Sequence, residues 1–189
     1  MDAKTFFNNL APTWDSREPC NAQQLAPFVK RCGAKAGDKV LDLGCGTGII
    51  SGILQNMGCF VTAMDISDGM IARAKEKYGT NCGINFVCKD FYDCTEEKFD
   101  CVVIFNAYPH FTDKNAFVNK LHDVLKPCGK FAVMHNIGRV TLTKHHQGAE
   151  EISSCLLPVE QEKLFFTDKF DITVTEEDDR HYLIKGVRK

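Results

Sequence analysis

The feature that most limits how this chain can fold is a glycine-rich turn set between an apolar run and a helical stretch. Lys39–Leu43 reads as a strand, and Gly44-Cys45-Gly46-Thr47-Gly48 follows it without a break. Glycines there let the backbone turn sharply and bring bare amides against a ligand. The helix opened by the turn points unpaired N–H groups at the same place. Asp65 ends the next apolar run, 21 residues after Gly44, where a carboxylate can accept from ribose hydroxyls. The spacing is G-x-G-x-G; residue 49 is Ile, so the dinucleotide pattern G-x-G-x-x-G fails at its third glycine. Asp42, two residues before the first glycine, would repel phosphates and suits a cationic ligand.

Around this turn, short β-branched or aromatic runs alternate with amphipathic stretches, the pattern of a parallel sheet with crossover helices. Strands are expected at Lys39–Leu43, Phe60–Asp65, 84–89, Phe99–Phe105 and 130–135, with helices over 48–57, Asp68–Tyr78 and 114–125. Phe99–Phe105 is apolar on both faces, which suits a central strand. A helical stretch over 150–162, broken at Pro158, precedes a hairpin of 169–175 and 181–187 across an acidic turn. The expected fold is α/β: a Rossmann-like, doubly wound sheet of about seven strands, mostly parallel, with an antiparallel terminal hairpin strand. Residues 1–34 have helical spacing (Phe6, Phe7, Leu10, Leu25, Phe28, Val29) cut by Pro12, Pro19 and Pro27. They read as an N-terminal helical cap on a domain of residues 35–189.

The 189 residues suffice for about one domain, which excludes a two-domain dehydrogenase or a kinase. A net charge of −2 offers no electrostatic attraction to nucleic acid or an anionic membrane. No apolar run approaches the ~20 residues of a membrane span, and residues 1–10 lack a signal-peptide core, so the expected location is the cytoplasm, as monomer or homodimer. Ten cysteines are present with no C-x-x-C pair, which points to free thiols, several of them buried.

Val40-Leu41-Asp42-Leu43-Gly44-Cys45-Gly46-Thr47-Gly48 resembles the first motif of the class I S-adenosylmethionine-dependent methyltransferases. The resemblance extends over about residues 37–189: Met64-Asp65-Ile66-Ser67, Lys89-Asp90-Phe91, Phe99-Asp100-Cys101-Val102-Val103, and Leu125-Lys126-Pro127-Cys128-Gly129-Lys130, where Cys128 replaces a glycine. It implies S-adenosylmethionine as cofactor and a small-molecule methyl acceptor as partner. It further implies that Gly44, Cys45 and Gly46 wrap the methionine part while Asp42 supports the loop, with Gly48 also counted among the cofactor-binding residues. Asp65 would hold the ribose and Ile66 would pack on adenine. Asp90 and Phe91 would bind and flank the adenine, and Asn106 would offer backbone to the amino group. Met70 either covers the adenine or packs its own helix. Phe6 to Arg17 resembles the lid helix of the ubiquinone/menaquinone-type methyltransferases, with Trp14-Asp15 in place of Tyr-Asp. Trp14 is then either a lid over the cofactor or a buried anchor.

Ligands of an open parallel sheet sit beyond the carboxyl ends of its strands. His110 and His135 fall there, with His145 and His146 soon after. Histidine can deprotonate an acceptor near neutral pH or ligate a divalent metal. The expected catalytic set is therefore His110, His135, His145 and Tyr108, with His110, His135, His145 and His146 as candidate metal ligands and Arg139 as an anion clamp. Asn106-Ala107-Tyr108-Pro109 departs at three of four positions from the N-P-P-Y motif of nucleic-acid amino-methyltransferases, and a nucleic-acid substrate is not expected. Two other readings stay open: a methyltransferase-fold cofactor-binding module without catalysis, and a nucleotide-dependent oxidoreductase.

Overall fold

The computed structural model describes residues 2–17, 20–79, 83–94, 97–145 and 152–189, without the side chain of His145. Seven strands form one sheet: β1 (Lys39–Leu43), β2 (Phe60–Asp65), β3 (Ile84–Cys88), β4 (Phe99–Phe105), β5 (Leu125–His135), β6 (Phe170–Glu177) and β7 (Tyr182–Arg188). Their order is β3-β2-β1-β4-β5-β7-β6. The first five run parallel, and β7 lies antiparallel between β5 and β6. The order reverses between β1 and β4, and a crevice opens beyond the carboxyl ends of those two strands, as sheet topology requires.

Helices α1 (Ala3–Leu10), α2 (Trp14–Arg17) and α3 (Ala22–Val29) precede the sheet. After it begins come α4 (Ile49–Asn56), α5 (Asp68–Tyr78), α6 (Lys114–Val124), α7 (Arg139–His145) and α8 (Val159–Glu162). Two apolar cores result, one on each face of the sheet. The first packs Phe28, Val29, Ile53 and Leu54 against Val40 and Val103. The second packs Phe117, Leu121 and Phe166 against Ile104, Phe131 and Ile184. Cys32, Cys45, Cys59, Cys94 and Cys101 are buried thiols within this packing. No helix among the described residues is long and apolar enough to cross a membrane.

Three expectations are corrected. Pro27 does not break the first segment but lies inside α3, whose first turn is secured by the Asn21 side chain accepting from the Gln23 and Gln24 amides. β5 begins at Leu125 rather than at 130: Leu125 pairs with Phe99, the chain bulges through Pro127, and pairing resumes at Cys101 with Lys130. Lys126 closes that bulge on the Asp100 carboxylate at 2.8 Å. The helix expected over 150–162 is reduced to α8; residues 152–158 run as a strap without regular secondary structure, while 146–151 lie outside the described residues.

Candidate active site

The crevice is a cleft of about 790 Å³, roofed by α1 and α2 and floored by the turns after β1, β2 and β4. That volume suits a small-molecule site, which commonly encloses about 300–1,000 Å³.

Its floor is built from backbone. Gly44 adopts φ +73°, and a Cβ there would stand 2.5 Å from the Ala107 Cβ, so only glycine lets the β1 and β4 turns touch. Gly48 caps α4 in the left-handed region. It is not among the residues that line the cleft. Asp65 is held by two amides: Gly46 N–H donates to one oxygen and Ser67 N–H to the other, each at 2.9 Å. Burial nevertheless raises its pKa above the ordinary carboxylate value. Asp42 is buried and accepts from Ser51 Oγ at 2.5 Å. Burial, with the Asp65 charge adding to it, pushes its pKa up to about 7. The Cys45 thiol is raised too, chiefly by burial. Asp90 caps a short turn by accepting from Tyr92 N–H at 2.9 Å. Phe91 is buried beside it. Asn106 opens the turn after β4 with φ 53° and its side chain exchanges hydrogen bonds with Asn136.

The roof is fastened to this floor at two points. On the β2 side, Asn8 Oδ1 accepts from Ser67 Oγ at 2.5 Å and Gly69 N–H at 3.1 Å, while its amide donates to Asp68 at 3.0 Å. On the β1 side, Thr47 Oγ1 donates to Asp15 at 2.6 Å, and Lys77 donates to the other Asp15 oxygen at 3.3 Å. Trp14 lies between the fastenings, its indole nitrogen 3.7 Å from where a Gly46 side chain would begin. Met70 and Ile66 complete the wall by β2.

Toward the other end the lining changes to Phe6, Phe7, Phe111, Ile137, Leu142 and Ile152, with His110 among them. The His110 ring meets Phe7 edge-on at 4.9 Å. Its Nδ1 lies 3.1 Å from the Ile152 carbonyl oxygen. A carbonyl only accepts, so the neutral ring carries its proton on Nδ1 and leaves Nε2 as the basic nitrogen.

Two other catalytic expectations, His135 and Tyr108, need correction. His135 does not line the cleft; it is fully buried in β5, its ring edge-on to Tyr182. Tyr108 is also fully buried and donates to Glu162 at 2.9 Å. Burial and that carboxylate raise its pKa far above a usable acid–base range. Arg139 is drawn away by Glu177, to which its Nε donates at 2.7 Å. The His145 side chain and all of His146 lie outside the described residues. Among the described residues, no three His, Cys, Asp or Glu side chains gather as a metal site. Sequence reasoning gave no fastening role to Asn8, although it lies in the lid-like segment Phe6 to Arg17, and did not single out Glu162; each acts on a residue more than fifty positions away.

Residues 40–129 match a family described as the methyltransferase domain. A malonyl-(acyl-carrier protein) O-methyltransferase of Priestia megaterium is 26% identical over 149 residues, covering 76% of this chain and 54% of that protein. The chain thus spans about half the length of that curated relative. Among solved structures, a chain of the Haloferax volcanii complex between the Trm112 methyltransferase activator and a methyltransferase superposes with a TM-score of 0.76 at 18% identity. That match covers 96% of this chain and 97% of the other. The N-methyltransferase NodS of Bradyrhizobium japonicum, solved with S-adenosyl-L-homocysteine, gives 0.68 at 16% identity, covering 88% and 86%. Those two likenesses establish the fold.

Proposed function

We propose that this chain, whose residues 40–129 match the methyltransferase domain family, is a class I enzyme that transfers a methyl group from S-adenosylmethionine to a small, largely apolar acceptor. The observation that carries the reading is the division of one cleft into two chemistries. One end offers bare backbone and two carboxylates, Asp42 and Asp65; the other offers aromatic and aliphatic side chains around one imidazole.

The residues of the first end fit the cofactor. Asp65, steadied by two amides, keeps outward lone pairs for vicinal hydroxyls, and the Gly44–Gly46 backbone leaves room for a ligand to lie flat on it. Ile66, Met70 and Phe91 supply apolar surface for a base, with Asp90 beside them. Asp42 and Asp65 together make the floor favourable to a cation. When bound, S-adenosylmethionine supplies a methyl group on a positively charged sulfur.

The chain's own work is alignment and dryness. Phe6, Phe7 and Trp14 close the roof, excluding water that would compete with the acceptor and screen charge. Phe111, Ile137 and Leu142 hold the acceptor's apolar body, and fixing its orientation supplies much of the rate enhancement. His110 Nε2 takes the proton that a hydroxyl, amine or thiol must lose as it is methylated. The O-methyltransferase name of the Priestia relative favours oxygen as the acceptor atom.

The test is incubation with S-adenosylmethionine and a panel of phenols, amines and thiols, measuring S-adenosylhomocysteine formed. Turnover on an apolar hydroxyl compound supports the reading. Absence of cofactor binding overturns it, and cofactor binding without turnover on any acceptor favours a binding module.

A further inference from the structure

Behind the cleft wall lies a buried charged group that the reaction does not use directly. Lys114 is 9% exposed and Glu162 1%, and between them stands the Tyr108 ring. The Lys114 ammonium sits 3.7 Å over that ring and donates to the Tyr108 carbonyl oxygen at 3.1 Å. On the far side, the Tyr108 hydroxyl donates to one Glu162 oxygen at 2.9 Å, and the Leu157 N–H donates to the other at 2.8 Å. Burial lowers the Lys114 pKa to about 8, against the pull of the Glu162 charge. Two buried charges are costly where apolar side chains would pack as well, so their arrangement calls for a purpose.

What the group holds is the pair of segments that place His110. Tyr108 begins the short helical turn Tyr108–His110. Glu162 and Tyr182 grip the strap through Leu157, the Tyr182 hydroxyl donating to its carbonyl at 3.2 Å. The strap then meets the turn directly: Ser154 N–H and Oγ both donate to the Pro109 oxygen, at 2.8 and 3.1 Å. Two residues earlier in the strap, the Ile152 carbonyl accepts from His110 Nδ1. The tautomer of His110 thus depends on the registration of two irregular segments that no sheet ladder fixes.

We propose that Tyr108, clasped between Lys114 and Glu162, is a positioning residue that registers the 108–110 turn on the strap and thereby keeps His110 protonated on Nδ1, with Nε2 as the base. The proposal rests on the role of His110 given above, but its readout needs no acceptor and no turnover.

The experiment is a long-range proton–nitrogen correlation spectrum of the ¹⁵N-labelled full chain, recorded above the titration range of the His110 ring. His110 is assigned by comparison with His110→Ala. Wild type is expected to show a protonated Nδ1 and an unprotonated Nε2. In Tyr108→Phe, which keeps the ring and the cation over it, the His110 signals should move to a mixture of the two tautomers. S-adenosylmethionine affinity should stay within about twofold, because Tyr108, Lys114 and Glu162 do not line the cleft. On an identified acceptor, kcat should fall by about 10- to 100-fold, the usual consequence of a displaced reacting group. If Tyr108→Phe does not fold, Glu162→Gln carries the same expectation. A wild-type His110 pattern in either folded variant, or a wild type already protonated on Nε2, would overturn the proposal. Loss of cofactor binding in the wild type would instead sink the methyltransferase reading, and with it the base role of Nε2, while the tautomer spectra would still decide whether Tyr108 registers the turn.

Discussion

The two ends of the cleft are made by different means. At the cofactor end, position is set by backbone: β1, β2 and β4 are locked in register, and their turns touch where Gly44 meets Ala107. At the acceptor end, position is set by side chains from α1, the 108–110 turn, the strap and α7. A sheet ladder resists displacement collectively, whereas a strap held by single hydrogen bonds moves when one is removed. On the proposed function, binding the cofactor would rest on the rigid part of the fold, and choosing the acceptor on the adjustable part.

Substitutions at the two ends should separate accordingly. The largest effect is expected at the acceptor end. His110→Ala should lower turnover by about 10²- to 10⁴-fold, the usual worth of a general base. Its S-adenosylmethionine affinity, measured by calorimetry, should be unchanged. Asp65→Ala should do the reverse. Removing two charge-assisted hydrogen bonds of about 1.5–3 kcal/mol each lowers cofactor affinity by roughly a hundredfold or more. An Asp65→Ala protein that stays folded and binds normally would erase the distinction between the ends.

A smaller effect follows from Asp42. Its folded pKa, about 7, is above the ordinary 3.8, so the native state holds this proton more tightly than the unfolded chain does. Its contribution to stability is then fully present below about pH 4 and lost as pH rises toward 7. A cationic ligand favours the ionised form, so S-adenosylmethionine should bind up to about tenfold more tightly at pH 8 than at pH 6, releasing a proton near pH 6. S-adenosylhomocysteine, which lacks the sulfonium charge, should show a weaker dependence. Calorimetry in buffers of different ionisation enthalpy measures both. The smallest effect is expected at the roof. Asn8→Ala removes one fastening, worth about 1 kcal/mol net. It should weaken cofactor binding about fivefold and raise hydrogen exchange in residues 3–17 while leaving the strands as they were.

The same division explains what the sequence reveals. The β1 turn and Asp65 are legible because their constraints are local: a strand, a run of glycines, an acid at a fixed distance. The succession of strands along the chain is legible from alternation, and β1 to β4 lie within a residue of where periodicity puts them. The start of β5 is hidden because Pro127 and Gly129 read as a stop, although pairing begins at Leu125 before the bulge. Cys128 takes φ 60° there, a conformation that normally selects glycine. The acceptor end is less legible. Four histidines near strand ends look alike in the sequence; that His110 lines the cleft while His135 is buried depends on β7, which covers β5 from forty-seven residues away. Tyr108 resembles an acid–base phenol until Glu162 is seen to hold it.

The central claim is that the cleft beside the β1 turn holds S-adenosylmethionine. Its most direct test is an equilibrium titration of the intact wild-type chain with S-adenosylmethionine and, separately, with NAD. The account predicts saturable one-site binding of S-adenosylmethionine and none of NAD, since Ile49 stands where a dinucleotide site needs glycine and Asp42 would repel phosphates. Binding of NAD without S-adenosylmethionine, or of neither by a folded protein, would contradict it.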